Sequence, residues 1–365
     1  MPLAAAMAEV AERCFTPQLE EAYAQVNLLA LHFCFHLVHH FGLFDGEPVF
    51  TFDELVRKIG VAPDAEYVLR TMLDILQEEG YVTSHGKEWT VRKPCPEDES
   101  VELQKHAREK CPESVSFFQW MERCHEQAAA FITGEKSGLE VVFPQGDMHL
   151  WEEFHREAPM AALYNDLVTP AISDVLDRAG CRILEVGAGV GGVLQRALPM
   201  LHERKVQEYR FTDLGKFFIS RMQRAHRGDS MLQFAVINLD LPLAEQGLEP
   251  ASFDTIVAVN VIHAVKKIEF TLQELRSVLR DGGHLLLSEA SPPRRGRRSR
   301  LDATIGFLRG WWDVTLTEHR PRPGLLFPAE WLELLRISGY HEAMAFPGED
   351  WFRGPCRGGL LMARR

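Results

Sequence analysis

The segment CRILEVGAGVGGVLQRALPML limits the fold more than any other part of this chain. An apolar run from Arg182 to Val186 leads into a turn, Gly187 to Gly192, and a helical pattern from Val193 to Leu201 follows. Strand, glycine turn and helix in that order open a doubly wound α/β domain, where the turn lets backbone N–H groups approach a nucleotide-like ligand. Gly187, Gly189 and Gly191 are the candidate ligand-facing glycines. A G-x-G-x-x-G pattern alone also marks nicotinamide dinucleotide sites. Here the spacing is G-x-G-x-G-G, and Glu185 stands just before it. A carboxylate there is unhelpful beside a pyrophosphate. It suits a cofactor with a cationic amino group, which S-adenosylmethionine (SAM) has and NAD lacks.

Four further apolar runs follow, and each ends on a polar residue. EYRFTDLG ends at Asp213, whose carboxylate can accept from both ribose hydroxyls; Leu214 follows it. MLQFAVINLDLP ends near Leu239 and Asp240, the latter a candidate acceptor for the adenine amino group. FDTIVAVNVIHAV carries Asn260 and His263 at its exit, and GGHLLLSEAS ends at Glu289. Open α/β sheets bind ligands at the carboxyl ends of their strands, so this series is more specific than any one motif. A degenerate fold kept only as a structural module has no need of all these polar ends. From the residues alone, His263 reads more readily as a satisfied polar residue at a sheet edge than as a base.

The chain's 365 residues exceed one usual domain, and its net charge of -12 makes it a poor partner for nucleic acid. Seven scattered Cys without a C-x-x-C pair fit a reducing compartment. No apolar run is long enough for a bilayer, and the start, MPLAAAMAEVAER, lacks a basic lead. These features point to a cytoplasmic protein without a membrane partner.

The N-terminal part reads as helical from about Ala4 to Phe44, punctuated by Gly42 and Gly46. Thr51 to Glu54 has the form of a capping box, Ala65 to Glu79 is amphipathic with Val68, Met72, Ile75 and Leu76 inward, and YVTSHGKEWTV reads as a hairpin about His85-Gly86. Together they suggest a winged-helix-like module. Its second helix carries Asp64, Glu66, Asp74, Glu78 and Glu79 against Arg70, the wrong charge for a DNA-reading helix. A lid or packing role is expected. Lys93 to Val101 reads as a linker, and Glu102 to Ile132 as mostly helical. The expected divisions are a lid domain, 1–135, a helical connector, 136–178, and a cofactor-binding domain, 179–365. His32, His36, His39 and His40 cluster on the first helical stretch, but no carboxylate follows at a diagnostic spacing and no H-E-x-x-H occurs, so no metal site is expected.

At this point the chain resembles the methyltransferase domains of polyketide synthases and their freestanding relatives, which are class I SAM methyltransferases. The similar stretches are ILEVGAGVGG, YRFTDLGKFF, LAEQGLEPASFDTIVAVNVIHAV, LRDGGHLLLSEAS and IGFLRGWWDV, with AAAFITGEKSGLEVVFPQG and PMAALYNDLV upstream and GGLLMARR at the end. The likeness covers roughly Ala129 to Arg365. Val190 stands where that family usually has Thr, Gly215 where Ser is common, and the basic insert after Glu289 is unusual. The resemblance implies a Rossmann-like sheet with a helical, winged-helix-like lid. It also implies methyl transfer from SAM to a polyketide-type acyl chain, free or on a carrier protein's phosphopantetheine arm. It makes His263 and Glu289 a base dyad. Methylation of the α carbon of a β-ketoacyl thioester is expected, with methylation of a hydroxyl or enol oxygen as the alternative.

Tyr164 and Asn165, before the first strand, are candidates to cover the methyl group, with plain packing equally open. Trp311 and Trp312 are candidates to wall the acyl pocket or belong to the core. PPRRGRRSR contributes Arg294, Arg295, Arg297, Arg298 and Arg300. They form either a solvated loop or a docking patch for an acidic carrier protein.

Overall fold

The computed structural model describes residues 3–45, 48–176, 180–348 and 358–365. Gly46 and Ala179, two positions the sequence reading used as boundaries, lie outside the described residues. The chain divides into two compact units. The first comprises Met1–Thr16, Pro159–Arg297 and Asp313–Arg365; the second comprises Pro17–Ala158 and Arg298–Trp312.

Helix α1 (Leu3–Cys14) belongs to the first unit, and α2 (Pro17–His40) begins the second. The stretch read as helical from about Ala4 to Phe44 holds two helices, because Pro17 has no N–H to donate and opens a new first turn. The second unit continues with β1 (Val49–Thr51), α3 (Phe52–Ile59), α4 (Glu66–Glu78), β2 (Val82–His85) and β3 (Glu88–Val91). Thr51 caps α3 as expected: its Oγ1 accepts from Glu54 N at 3.2 Å, and the Glu54 carboxylate accepts from Thr51 N at 2.8 Å. Helix α4 buries Val68, Met72, Ile75 and Leu76. The strands pair antiparallel in the order β1-β3-β2, the wing of a winged-helix-like module. Helices α5 (Ser100–Lys110), α6 (Val115–Glu126), α7 (Ala128–Ile132), α8 (Gly138–Val142) and α9 (His149–Glu157) follow.

The chain then returns to the first unit with α10 (Pro159–Val175), β4 (Arg182–Val186), α11 (Gly192–Glu203), β5 (Glu208–Asp213), α12 (Lys216–Ala225), β6 (Leu232–Val236), β7 (Phe253–Val259), α13 (Ile268–Val278) and β8 (Leu279–Ala290). Helix α14 (Asp302–Ile305) lies in the second unit, and α15 (Pro328–Ile337), β9 (His341–Phe346) and β10 (Gly358–Arg364) complete the first. Among the described residues, seven strands form one sheet in the order β6-β5-β4-β7-β8-β10-β9. The strands from β6 to β8 in that order run parallel, and β10 is antiparallel to both its neighbours. The chain enters at β4, winds outward to β6, and crosses back to β7. The topological switch therefore lies between β4 and β7, where this architecture binds ligands.

Parallel strands are covered on both faces and become continuous apolar runs. Phe253 to Ala258 are all buried, even though Asp254 and Thr255 interrupt the apolar series. Leu272 and Leu275 of α13, and Trp331 and Leu334 of α15, pack with Ile256 and Leu285 in one core. Each such side chain contributes about 1.5–3 kcal/mol on burial. Helix α10 packs on α1, α11 and β8. No described helix is long and apolar enough to cross a membrane.

Candidate functional site

The glycine turn joins β4 to α11 at the switch point. Gly187, Gly189 and Gly191 all have positive φ, at 60°, 52° and 82°. Close approach adds to this at two of them. A Cβ on Gly187 would lie 2.3 Å from Val261 Cγ2, and one on Gly191 would lie 2.5 Å from Met222 Cε. Gly187 excludes a side chain on torsion and on space, whereas at Gly191 the torsion decides, because the flexible end of Met222 can move aside. Asp213, at the tip of β5 and partly exposed, accepts from Gly189 N at 2.9 Å and Gly215 N at 2.7 Å. Its carboxylate thus pins the turn from the neighbouring strand. A cradle without side chains beside a half-exposed carboxylate fits a nucleoside with a hydroxyl pair.

Glu185 lies one layer below the turn and is 2% exposed. The Tyr209 hydroxyl, from β5, donates to its Oε2 at 2.7 Å. Burial pushes the Glu185 carboxyl up to about 8, and the Asp213 charge adds to this while the Tyr209 hydrogen bond opposes it. An ammonium group brought near would return it to the charged form. Sequence reasoning missed Tyr209, which reads there as one more alternating core residue of β5.

His263 sits on a short helical turn just after β7, and Glu289 near the end of the adjacent β8. Their Nδ1 and Oε2 atoms are 2.5 Å apart, with both side chains buried. The other carboxylate oxygen, Oε1, accepts from Ile262 N at 2.8 Å and Val261 N at 3.2 Å. Glu289 is therefore held by the backbone of the segment that carries His263. A second clamp comes from Arg320, which is fully buried. Its guanidinium donates to the backbone oxygen of His263, and to that of Val265 at 2.7 Å. Sequence reasoning did not single out Arg320, because EHRPRPG carries no periodicity or motif that separates one arginine from another.

The remaining expectations divide. Asn260 follows β7 directly with φ +51°, donates N–H to Ser288 O at 2.8 Å, and accepts from Ala290 N at 2.7 Å through its side chain. It ties the ends of β7 and β8 together. Tyr164 and Asn165 are both buried in α10. A Cβ on Gly358 would meet the Tyr164 ring at 2.3 Å and Glu289 O at 2.7 Å, and one on Gly192 would meet Asn165 Nδ2 at 2.7 Å. So Tyr164 stands beside the tip of β8 and Asn165 beside the glycine turn. Strand β6 stops at Val236, four residues earlier than the Asp240 end read from the sequence. Asp240 lies in the following loop, where its carboxylate accepts from Lys266 N at 2.7 Å. Leu239 is buried and Leu214 is 65% exposed.

Trp311 and Trp312 belong to the second unit. Trp311 is core there, donating Nε1–H to Asp302 Oδ1 at 3.0 Å. Trp312 lines a cavity of about 750 Å³ within that unit, with Phe131, Lys136, Phe307 and Arg309. The five arginines are not equivalent. Arg294, Arg295 and Arg297 are exposed. Arg298 donates to Tyr67 Oη at 3.0 Å and pairs with Asp74 at 3.3 Å, and Arg300 pairs with Glu79. Asp74 and Glu79, acids that set α4 apart from a DNA-reading helix, thus serve as internal partners. A patch of five free arginines is not formed.

These features define a methyltransferase that uses SAM. A methyltransferase-domain family model matches residues 184–285. The chain is 30% identical over 303 residues to polyketide synthase ThaQ of Burkholderia thailandensis, covering 77% of this chain and 14% of that protein. It is 35% identical over 230 residues to ThaG of the same organism, covering 61% of this chain and 4% of that protein. The chain thus spans a small part of the synthases it matches. The crystal structure of the CurJ carbon methyltransferase superposes with a TM-score of 0.88 at 27% identity, covering 99% of this chain and 96% of that one. The trans-methyltransferase CalH, solved with S-adenosylhomocysteine (SAH), shares the fold at a TM-score of 0.68 and 21% identity, covering 94% of this chain and 90% of that one. Within the class, this chain is a SAM-dependent methyltransferase of the polyketide synthase-associated type.

Proposed function

We propose that the chain methylates the α carbon of a β-ketoacyl thioester carried on the phosphopantetheine arm of a carrier protein. The observation that carries this reading is the buried His263–Glu289 pair, 2.5 Å apart at the tips of adjacent strands. Likeness to a carbon methyltransferase over nearly the whole chain supports carbon as the acceptor.

SAM supplies a methyl group on a sulfonium, an electrophile that needs no acid from the protein. The protein must hold the two partners and remove one proton. Asp213 would take the ribose hydroxyls, the amides of the Gly187–Gly191 turn would line the nucleoside, and Glu185 would face the amino group. Asp240 would face the adenine, with Leu214, Leu239 and Asn260 around the same ligand. His263 accepts the α proton through Nε2 as the α carbon forms its new bond. Glu289, unable to rotate away from two backbone amides, fixes the imidazole tautomer and stabilises the imidazolium. Tyr164 and Asn165 close the same edge. Exposed Arg294, Arg295 and Arg297 would meet an acidic carrier in the cytoplasm.

The test is product analysis with a β-ketoacyl pantetheine and SAM. Methyl on the α carbon is expected by mass spectrometry and NMR; a methyl ether would replace this reading with oxygen methylation. His263→Ala should lower turnover by about 10²–10⁴-fold and abolish enzyme-accelerated α-deuterium exchange, while SAH binds within a few fold of the parent. Full activity in that variant would remove His263 as the base.

A further inference from the structure

Among the described residues, one group of three metal-ligating side chains gathers its ligand atoms within 4.8 Å of one another: His32, His36 and Asp98. It lies in the second unit, and the methyl-transfer chemistry makes no use of it. His32 and His36 stand one turn apart on α2, the i, i+4 spacing that brings two imidazoles to one face. Their rings lie 4.8 Å apart, and both Nε2 atoms point at the same oxygen, Asp98 Oδ1, at 3.1 and 2.7 Å. Asp98 comes from the segment between β3 and α5, 66 residues from His32. Its Oδ1 also accepts from Ser100 N at 2.9 Å, which fixes the carboxylate.

The surroundings point to a cation. The three residues wall a cavity of about 560 Å³ whose lining also holds His39, Asp45, Cys95 and Glu97, and includes no Lys or Arg. Bonds of about 2.0–2.2 Å from zinc to imidazole nitrogen and carboxylate oxygen separate tetrahedral ligand atoms by about 3.3 Å. The two nitrogen–oxygen spacings, 3.1 and 2.7 Å, are near that value, and all three ligand atoms lie within 4.8 Å of one another. His32 is mostly buried, so its orientation is set by packing. Two neutral imidazoles and one carboxylate, with a fourth position open to the cavity, match a mixed nitrogen–oxygen zinc site.

We infer that His32, His36 and Asp98 bind a zinc ion that clips the segment between β3 and α5 to helix α2. Its role is to fasten the far end of the eight-residue connection 92–99 to α2, so its binding free energy adds to the stability of the second unit.

Zinc is titrated into the metal-stripped full chain against a chromophoric chelator, and thermal unfolding is followed with and without the ion. One equivalent should bind at micromolar protein, with a rise in unfolding temperature. His36→Ala should weaken binding by at least about 100-fold. Asp98→Asn keeps the acceptor for Ser100 N but lacks the charge, and should weaken binding while SAH affinity is unchanged. Absence of saturable binding in the parent would overturn the site. So would equal binding in both variants, which would place the ion on other histidines.

Discussion

The strand-end site of the first unit and the charge pairs around α4 and α6 of the second put charged and polar side chains to different uses. In the first, parallel strands end together, so Glu185, Asp213, Asn260, His263 and Glu289, spread over a hundred residues, meet at one edge. Their partners are mostly backbone amides and carbonyls: Gly189 N, Gly215 N, Ile262 N, and the carbonyls that hold Arg320. In the second, charges close on one another across helices and loops, as Arg298 with Asp74, Arg300 with Glu79, and Arg108 with Glu122. A charge anchored by backbone keeps its geometry and remains available to a ligand. A charge spent on an opposite charge is a clamp.

The comparison is most exposed at Arg320. Arg320→Met should lower kcat by about 100-fold by letting the His263 turn shift. It should also cost about 1–3 kcal/mol for each carbonyl left without a donor. Steady-state kinetics should show the loss in kcat rather than in KM for SAM, with partial rescue in Arg320→Lys. Equal kcat in the Met variant would reduce Arg320 to packing. In the second unit, Arg298→Met should leave SAH affinity unchanged but destabilise by about 1–3 kcal/mol, since it strands Asp74, whose pKa burial already raises. Denaturant melts read that loss, and a change confined to cofactor binding would contradict the clamp.

Glu185 sharpens the comparison through pH. Its carboxyl titrates near 8 in the folded chain against a usual 4.5, so the folded state holds a proton that the unfolded state gives up. Stability from this group is complete below about 4.5 and is lost as pH rises through about 8. Glu185→Gln should flatten that decline and weaken SAH binding. Melts at several pH values, with an unchanged slope in the variant, would point to another group. The smallest effect is expected at the exposed arginines. Changing Arg294, Arg295 and Arg297 together to Gln should raise KM for a carrier-bound substrate roughly tenfold at low salt. The difference should vanish at high salt, where such steering is screened. A pantetheine-only substrate should not sense the change.

Much of the first unit is legible residue by residue. Glycines forced to positive φ, apolar runs ending in acids, and the order of those runs survive as local patterns, and the sheet edge follows from them. The cap at Thr51, the hairpin at His85-Gly86 and the buried face of α4 are equally local. Asp240 was misplaced along its strand because LDLP continues the apolar pattern after the β6 pairing has ended. Trp311 and Trp312 are adjacent and identical in type, yet one is core and the other lines a cavity.

By itself, then, the sequence determined the class of sheet, the glycine turn after its first parallel strand and the polar residues Asp213 and Glu289 near strand ends, because each depends on torsions and periodicities within a few residues. Only the tertiary structure decided which arginines are spent, that Tyr209 holds Glu185, that Arg320 holds the His263 turn, and that Asp98 faces a histidine pair 62 to 66 residues away. Those partnerships arise where separate segments meet. A side chain's charge is written in its own residue, but what neutralises it belongs to whatever the fold brings opposite.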